Sequence, residues 1–366
     1  MRRQLTDIKA LDGAFAFYRN TMLVETMTAK DMAAQDVIDL SGNALQAVPL
    51  ALLRAITNAS RVNLSANPLL SLDAKAFNTL PKLVEISCSG TNLTALPASF
   101  VVGCPALEVI DFSHGNLSSL YPDSFQDLPK LHTLDLSFNS LQTLPVQLLP
   151  LATWKVLDVS NNLLVELPAD VASMKVTGYA SFEFNVLIEI EASQFAGANA
   201  IRELRLANNA IFTLYDHAFA GMQALERLDL SNNVLSMVDP TAFDGLVALT
   251  ELLLSDNNLR SIVFREFPPQ LTRLDLQFNE IDVFPTVKTV SVPTHNLDLL
   301  DLSWNHMENF SATTFDFCKD HIQTLQLGNN LISSIPRTGF LELFENPRVN
   351  IFAEGAHMSR LNLQIV

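Results

Sequence analysis

The chain has 366 residues, a formal net charge of −16 at pH 7 and an apolar content of 48%. This charge disfavours binding to nucleic acids and to anionic membranes, because both are bound through clusters of Lys and Arg. It favours a protein or peptide partner that is basic or neutral. No stretch approaches the roughly 18 uninterrupted apolar residues of a membrane-spanning helix, so we expect no membrane insertion by this chain. Three cysteines are too few for a disulfide framework.

The N-terminal residues weakly match a pattern that becomes clear further along the chain. Counting back 23 residues from Asn43 reaches Asn20, with Phe15-Ala16-Phe17 before it and Met22 after it. We therefore interpret residues 1–36 as a degenerate first repeat at the N-terminal end.

Residues 37–345 carry a leucine-type pattern that recurs every 22 to 26 residues, usually every 24. Its clearest copies read L-x-x-L-x-L-x-x-N-x-L and span Leu131–Leu144, Leu225–Val238 and Leu297–Phe310. A repeat of this length cannot bury its own apolar face, so its copies must stack on one another. The alternating L-x-L predicts a short strand with one buried face, and stacking places these strands side by side and parallel.

The Asn of the pattern ends each strand. Its side-chain amide is expected to hydrogen-bond with backbone groups of the adjoining coils, which the turn would otherwise leave unpaired. This column of structural residues comprises Asn43, Asn67, Asn139, Asn162, Asn185, Asn209, Asn233, Asn257, Asn279, Asn305 and Asn330. Thr91 and Gly115 occupy the same place in two further repeats.

The second half of each repeat carries its own apolar and turn residues. A Phe ten residues after the column Asn is predicted to be buried, and the Phe rings of successive repeats to stack beneath the face opposite the strands. It recurs at Phe77, Phe125, Phe195, Phe219, Phe243, Phe267, Phe315 and Phe340. A Pro six residues after the column predicts a turn in other repeats. It recurs at Pro49, Pro97, Pro145, Pro168, Pro285 and Pro336.

With its Asn, Leu and Phe columns, the chain resembles a leucine-rich-repeat protein over about residues 11–345. The 24-residue form is typical of ectodomains such as those of Toll-like receptors and receptor-like kinases. The resemblance implies an α/β solenoid, a right-handed horseshoe with a parallel concave β-sheet and a convex face of short helices, turns and loops. It also implies partner binding on the concave sheet. Residues 346–366 are expected to be a divergent C-terminal repeat or cap, without the cysteines that such caps carry.

Two groups of outward residues are candidate ligand contacts. Asp residues without a neighbouring cation follow one another on successive strands, and aromatic residues precede the column Asn, where the side chain is usually small or polar. Exposed aromatics often anchor interfaces. The first predicted patch comprises Asp111, His114, Asp135, Phe138, Asp158 and Phe184. The second comprises Asp275, Phe278, Asp301 and Trp304. Alternatively, the Asp residues are consensus positions of the repeat, and each ring lies over its neighbouring coil.

Between these patches, the outward residues alternate in charge. The order Glu203, Arg227, Glu251 and Arg273 places opposite charges on neighbouring strands. Such pairs stabilise a sheet by roughly 0.2–1 kcal/mol each. We interpret this section as a self-neutralising ladder and not as a binding site.

The sequence carries no motif that supports catalysis. Phosphate-binding, kinase, zinc-protease and serine-hydrolase signatures do not occur, and no Cys/His cluster has metal-ligand spacing. We therefore expect no enzyme activity, no cofactor and no metal. Three interpretations remain: the ligand-binding part of a receptor-like protein, an intracellular repeat scaffold, or the sensor fragment of a receptor-like kinase. The repeat type favours an extracellular location, whereas the lack of a secretory signal favours a cytoplasmic one unless an upstream piece is missing.

Overall fold

The computed structural model describes residues 7–11, 14–19, 22–73, 76–78, 80–125, 127–146, 148, 153–288, 296–308, 321–332 and 349–352. The chain divides into two compact units, Met1–Ser181 and Phe182–Val366. Four expected positions, Asn20, Phe315, Pro336 and Phe340, lie outside the described residues, as do Cys318 and most of the predicted C-terminal segment 346–366.

The first unit begins with an antiparallel sheet of β1 (Asp7–Leu11), β2 (Ala14–Arg19) and β3 (Met22–Thr28), paired in that order. Only two residues separate successive strands. This suffices for an antiparallel hairpin, whereas parallel strands need a crossover of about a dozen residues or more. The interpretation of residues 1–36 as a degenerate first repeat is therefore wrong for the strands that the structure describes there.

A short helix, α1 (Ala29–Ala33), joins this sheet to the repeats. Its cap is reciprocal: the Thr28 hydroxyl accepts a hydrogen bond from the Asp31 backbone N–H, and the Asp31 carboxylate accepts one from the Thr28 backbone N–H, both at 3.1 Å. The Thr28 hydroxyl also donates to the Asp31 carboxylate at 2.7 Å, and this bond, together with the one from the Thr28 backbone N–H, lowers the pKa of Asp31. This capping box ends β3 and starts the helix.

The repeats of the first unit form one parallel sheet. Its strands, in order, are β4 (Val37–Asp39), β5 (Arg61–Asn63), β6 (Glu85–Ser87), β7 (Val109–Asp111), β8 (Thr133–Asp135), β9 (Thr153–Asp158) and β10 (Lys175–Ser181). The central residue of each three-residue strand is buried and its neighbours are partly exposed, as the L-x-L alternation predicts. Helix α2 (Leu50–Ala55), a 3-10 helix (Val171–Ser173) and turns lie between the strands.

The pairing of β9 and β10 contains a bulge between Val176 and Tyr179. Gly178 lies within it, and a Cβ at this position would come 2.1 Å from the backbone oxygen of Lys155. The close approach of the two strands therefore requires glycine at position 178.

The second unit repeats the same arrangement. Its main parallel sheet contains β12 (Glu203–Arg205), β14 (Arg227–Asp229), β16 (Glu251–Leu253), β18 (Arg273–Asp275), β20 (Leu299–Asp301), β21 (Thr324–Gln326) and β22 (Asn350–Phe352). Shorter parallel pairings join β11 (Glu189–Ile190), β13 (Thr213–Leu214) and β15 (Met237–Val238), and also β17 (Val263–Phe264) and β19 (Thr286–Val287). Strand β22 extends the sheet into the predicted C-terminal segment.

The column asparagines bridge neighbouring coils. In the second unit, Asn233 Nδ2 donates to the backbone oxygens of Leu206 in the preceding coil and Leu230 in its own coil, both at 3.0 Å. Its Oδ1 accepts from the backbone N–H of Ile211 at 3.0 Å. Asn67 makes equivalent bonds in the first unit. One side chain thus satisfies several buried backbone groups of two coils.

Aromatic rings fill the interior of each unit. In the second, Phe195, Phe219 and Phe243 are buried and stack at centroid distances of 5.6 and 6.0 Å. In the first, Phe100 contacts both Phe77 and Phe125 edge-on, at 6.3 and 5.8 Å. Each unit is thus a stack of parallel-strand coils with few helices among the described residues. The solenoid fold class expected from the sequence is confirmed.

Candidate ligand-binding surfaces

The strand face, the side to which the outward residues of the strands point, carries the predicted acidic residues. In the first unit, Asp111, Asp135 and Asp158 lie directly opposite one another on β7, β8 and β9, and all three are partly exposed. Three neighbouring carboxylates concentrate negative charge on this part of the strand face.

Each of these carboxylates also has a structural role. Oδ1 of Asp111, Asp135 and Asp158 accepts a hydrogen bond at 2.9 Å from the backbone N–H of the Ser two residues later. This Asx turn ends the strand. Elsewhere on this unit, Arg61 forms an ion pair with Glu85 at 3.4 Å, and His132 Nε2 lies 3.6 Å from Oε2 of Glu108.

The charged ladder of the second unit neutralises itself, as interpreted from the sequence. Arg227 pairs with Glu203 at 3.6 Å and also with Glu251 on the other neighbouring strand. Arg205 bonds to Glu203 at 2.8 Å. These charges satisfy one another and leave little net charge for a ligand.

The acidic residues of the second patch differ from the expectation. Asp275 and Asp301 are only 4 and 7% exposed. Oδ2 of Asp275 accepts from Arg273 at 3.1 Å, and Oδ1 of Asp301 accepts from the backbone N–H and hydroxyl of Ser303 at 2.9 and 2.6 Å. Burial raises the pKa of Asp275, and the Arg273 hydrogen bond opposes this shift. These two carboxylates pack within the strand ends, so they are not available as direct ligand contacts.

The residue immediately before the column Asn adopts a left-handed backbone in both units, with φ between 51° and 66°. We call this position the left-handed slot. In the first unit it holds Gly42, Ala66, Gly90, His114, Phe138 and Asn161. In the second it holds Phe184, Asn208, Asn232, Asp256, Phe278, Trp304 and Asn329. Gly, Asn and Asp tolerate this conformation, whereas a bulky side chain there costs about 1–2 kcal/mol.

The aromatic residues in these slots are exposed and, in two places, stacked. His114 and Phe138 stack at 4.2 Å with an interplanar angle of 12°, and Phe278 and Trp304 at 5.2 Å with an angle of 15°. Phe138, Phe184, Phe278 and Trp304 are between 43 and 51% exposed. The rings thus cover their neighbours, as the alternative interpretation held, and still present large apolar surfaces at the strand ends.

The first predicted patch is divided between the two units. Asp111, His114, Asp135, Phe138 and Asp158 belong to the first unit, whereas Phe184 belongs to the second. The strand pairing brings the three Asp residues together, and ring stacking brings His114 to Phe138.

Sequence reasoning missed the backbone conformation of the slot. The signal was present, because the same position holds Gly or Asn in several other coils. These are the residues that adopt positive φ at low cost, so the column predicted left-handed backbone at the aromatic positions as well.

Other classes of site find no support among the residues that the structure describes. No group of three or more His, Cys, Asp and Glu is arranged to hold a metal ion there. None of the helices in the described part of the chain is both long and apolar enough to cross a bilayer. Cys88 and Cys104 are buried free thiols, and burial raises the pKa of both. This environment suits packing and not nucleophilic chemistry.

A family model described as leucine rich repeat matches residues 81–141 and 199–259. A comparison with curated proteins found no match. Among solved structures, the chain resembles Toll in a Drosophila Toll–Spatzle complex, with 21% identity, a TM-score of 0.71, and coverage of 82% of this chain and 42% of that one. It therefore spans about two fifths of the Toll chain.

Two further structures are similar. The leucine-rich repeat domain of APL1 shares 21% identity at a TM-score of 0.66, with coverage of 89% of this chain and 93% of that one. The plant peptide hormone receptor RGFR1, in complex with RGF2, shares 19% identity at a TM-score of 0.56, with 86 and 54% coverage. The matched segments, with their Asn-bridged parallel coils, are leucine-rich repeats, and the similar structures share the solenoid fold of this chain.

Proposed function

We propose that this chain is a non-catalytic recognition module that binds a protein or peptide through its strand face. The observation that carries the proposal is the exposed aromatic pair in the left-handed slots of each unit, His114 with Phe138 and Phe278 with Trp304. Strained backbone that persists at exposed positions points to a functional constraint.

The energetics support this conclusion. Each non-Gly residue in the slot costs about 1–2 kcal/mol when its side chain is bulky, and an aromatic pair returns only about 0.5–1.5 kcal/mol. Asn occupies the same slot at positions 208 and 232 with the same backbone. Aromatic side chains in the slot therefore add little to folding stability, whereas aromatic surfaces are frequent anchors of protein interfaces.

The two units offer different chemistry to a ligand. In the first, the carboxylates of Asp111, Asp135 and Asp158 lie on the strands whose ends carry the His114–Phe138 pair. A Lys or Arg side chain there would gain both charge attraction and ring contact. In the second, the carboxylates are buried, so the rings of Phe278 and Trp304 would contact apolar or planar groups of the ligand.

The similar structures favour a receptor-like context. Toll was solved with Spatzle, and the plant receptor with the peptide RGF2. By extension, we infer that this chain is the ligand-binding part of a receptor-like protein, and that its ligand is basic or neutral.

A displayed random-peptide library selected on the purified chain tests the proposal. Selected peptides should bind at least about tenfold more weakly to either Phe138→Asn or the Phe278→Asn/Trp304→Asn double variant. The exposed Asn199→Ala variant is the matched control and should bind as the wild type does. Failure to enrich any peptide, or peptides that bind all variants equally, would contradict recognition through the strand face.

A further inference from the structure

A second surface lies at the edge where the strands end. We call the positions one and three residues after the column the lateral slots; their side chains lie on either side of a buried residue. In six coils both are polar, as at Asn92 and Thr94 in the first unit and Glu280 and Asp282 in the second. In the first unit, Leu70, Leu163 and Val165 are exposed apolar residues in these slots.

In the second unit, three successive coils carry large apolar residues in four of their six lateral slots, and Ala210 and Ser236 occupy the other two. The four large residues, Val186, Ile188, Phe212 and Val234, are between 42 and 48% exposed. We call these four residues the lateral patch.

Backbone hydrogen bonds hold the three coils of the lateral patch side by side. The Phe212 N–H donates to the Ile188 oxygen at 2.9 Å, and the Val234 N–H donates to the Ile211 oxygen at 3.1 Å. Adjacent strands of this kind lie about 5 Å apart, so the four side chains form a continuous apolar surface.

The fold itself does not need these residues to be apolar. The residues between the slots, Leu187, Ile211 and Leu235, are completely buried and already fill the interior. Two coils later, Arg260 occupies the slot that Phe212 occupies, and it pairs with Glu280 at 3.3 Å. The coil geometry thus accepts polar side chains in the lateral slots, so folding does not explain why the four residues of the lateral patch are apolar.

The rim of the lateral patch is acidic. Glu189 and Glu191 follow Ile188, and Asp216 follows Phe212 by four residues. The negative charge of Glu189 and a hydrogen bond from the Tyr215 hydroxyl to it raise the pKa of Tyr215. Residues 183–192 and 207–217 contain no Lys or Arg; the basic side chain beside the rim is His217, whose Nδ1 lies 3.7 Å from Oδ2 of Asp216.

We propose that the lateral patch is a second binding surface, separate from the strand face, that takes an amphipathic basic segment of a partner protein. Apolar side chains of that segment would cover the four patch residues, and its Lys or Arg residues would pair with Glu189, Glu191 and Asp216. A second copy of this chain fits poorly, because a symmetric pairing places identical acidic rims against each other. The segment of the partner that lies on the lateral patch therefore carries basic residues opposite this acidic rim.

The test uses a fluorescein-labelled helical peptide of Leu and Lys as probe, with binding followed by fluorescence anisotropy. The Val186→Asn/Ile188→Thr/Phe212→Gln variant places in each slot a residue that another coil of this chain carries there. It should bind the peptide at least about tenfold more weakly than the wild type. Leu70→Ser, which removes an isolated exposed leucine of the first unit, is the matched control and should bind normally.

Three further binding measurements test the role of charge and the separation from the strand face. The Glu191→Gln/Asp216→Asn variant leaves the apolar residues intact and should weaken binding several-fold, with the difference shrinking as salt rises. A peptide of Leu and Glu should bind the wild type at least about tenfold more weakly than the Leu/Lys peptide. Phe278→Asn should leave Leu/Lys binding unchanged, which separates this surface from the strand face.

Three results would overturn the proposal. One is equal binding of the Leu/Lys peptide to the wild type and the lateral-patch variant. Another is absence of binding to the wild type. The third is a dimer of the wild type, seen in sedimentation, that the lateral-patch variant abolishes, because the surface would then be a contact between copies of this chain.

Discussion

Phe278 and Trp304 stack with their ring centroids 5.2 Å apart, and both residues have left-handed backbones, with φ of 51° and 56°. The backbone strain of each, about 1–2 kcal/mol, outweighs or cancels the stacking gain of about 0.5–1.5 kcal/mol for the pair. The stacked arrangement therefore adds no net stability to folding. It makes binding and stability separable at these positions.

Replacing Trp304 by Asn should barely change the stability of the protein. Asn relieves the strained backbone, as it does at positions 208 and 232, while the stacking with Phe278 is lost. We expect the free energy of unfolding to stay within about 1 kcal/mol of the wild type. Urea unfolding monitored by circular dichroism measures it.

The control for this variant is Phe264→Ala, which removes a fully buried ring and should cost about 3–5 kcal/mol. A comparable loss in Trp304→Asn would show that the indole is a packing element. The strand-face proposal would then lose its main support.

The repeat coils were predictable because one physical requirement recurs in each. A residue such as Leu228 must be buried between neighbouring coils, and Asn233 must satisfy the backbone where the strand ends. Both requirements are local in sequence and repeat at fixed spacing. They therefore predict strand position, register and parallel pairing together.

The N-terminal sheet was not predictable from the same pattern. Alternation around Phe15 and Phe17 is compatible with a strand in a parallel or an antiparallel sheet. The length of the segment that joins two strands decides which pairing forms. The two-residue gap between Leu11 and Ala14 allows only the antiparallel pairing that is observed. The burial of Asp275 was likewise not predictable, because the alternation of apolar and polar residues does not show that the Arg273 side chain hydrogen-bonds to it.

Replacing Asn233 by Ala should destabilise the protein substantially. The variant leaves the backbone N–H of Ile211 without its buried partner, and it removes one of two amide donors from each of the Leu206 and Leu230 oxygens, which keep those of Asn209 and Asn257. An unsatisfied buried donor costs about 1–3 kcal/mol and each lost hydrogen bond about 0.5–1.5 kcal/mol, so we expect a loss of at least about 2 kcal/mol in urea unfolding. The exposed Asn199→Ala should stay within about 0.5 kcal/mol of the wild type, and an equal effect of both would refute the bridging role.

Replacing Arg265 by Ala should produce a pH-dependent loss of stability. Nη2 of Arg265 lies 2.6 Å from Oδ2 of Asp244, a side chain only 6% exposed. Burial raises the pKa of Asp244 above its ordinary value of 3.8, and Arg265 opposes that shift. Because Arg265 is itself half exposed, the expected loss at pH 7 is about 1–3 kcal/mol.

The sign of the pH dependence of Arg265→Ala follows from the raised pKa. Below pH 3.8 Asp244 is protonated in both folded and unfolded chains, so the buried charge carries no penalty and the variant should approach the wild type. As pH rises above that value, the unfolded chain loses the proton first, and the variant loses stability relative to the wild type. Urea unfolding between pH 3 and 7 measures the difference. Arg202→Ala, which breaks an exposed pair with Glu226, should show little change at any pH.

Replacing Gly178 by Ala should be more damaging than the same change at Gly245. A Cβ at position 178 would lie 2.1 Å from the Lys155 oxygen, so strands β9 and β10 must move apart. At Gly245, where φ is 79° and no atom lies within 4 Å of the added Cβ, only the backbone conformation is unfavourable, at about 1–2 kcal/mol. Because β9 carries Asp158, the Gly178→Ala variant should also weaken any ligand held by the acidic residues of the first unit. Equal urea midpoints for the two variants would show that the bulge between Val176 and Tyr179 adapts to a side chain.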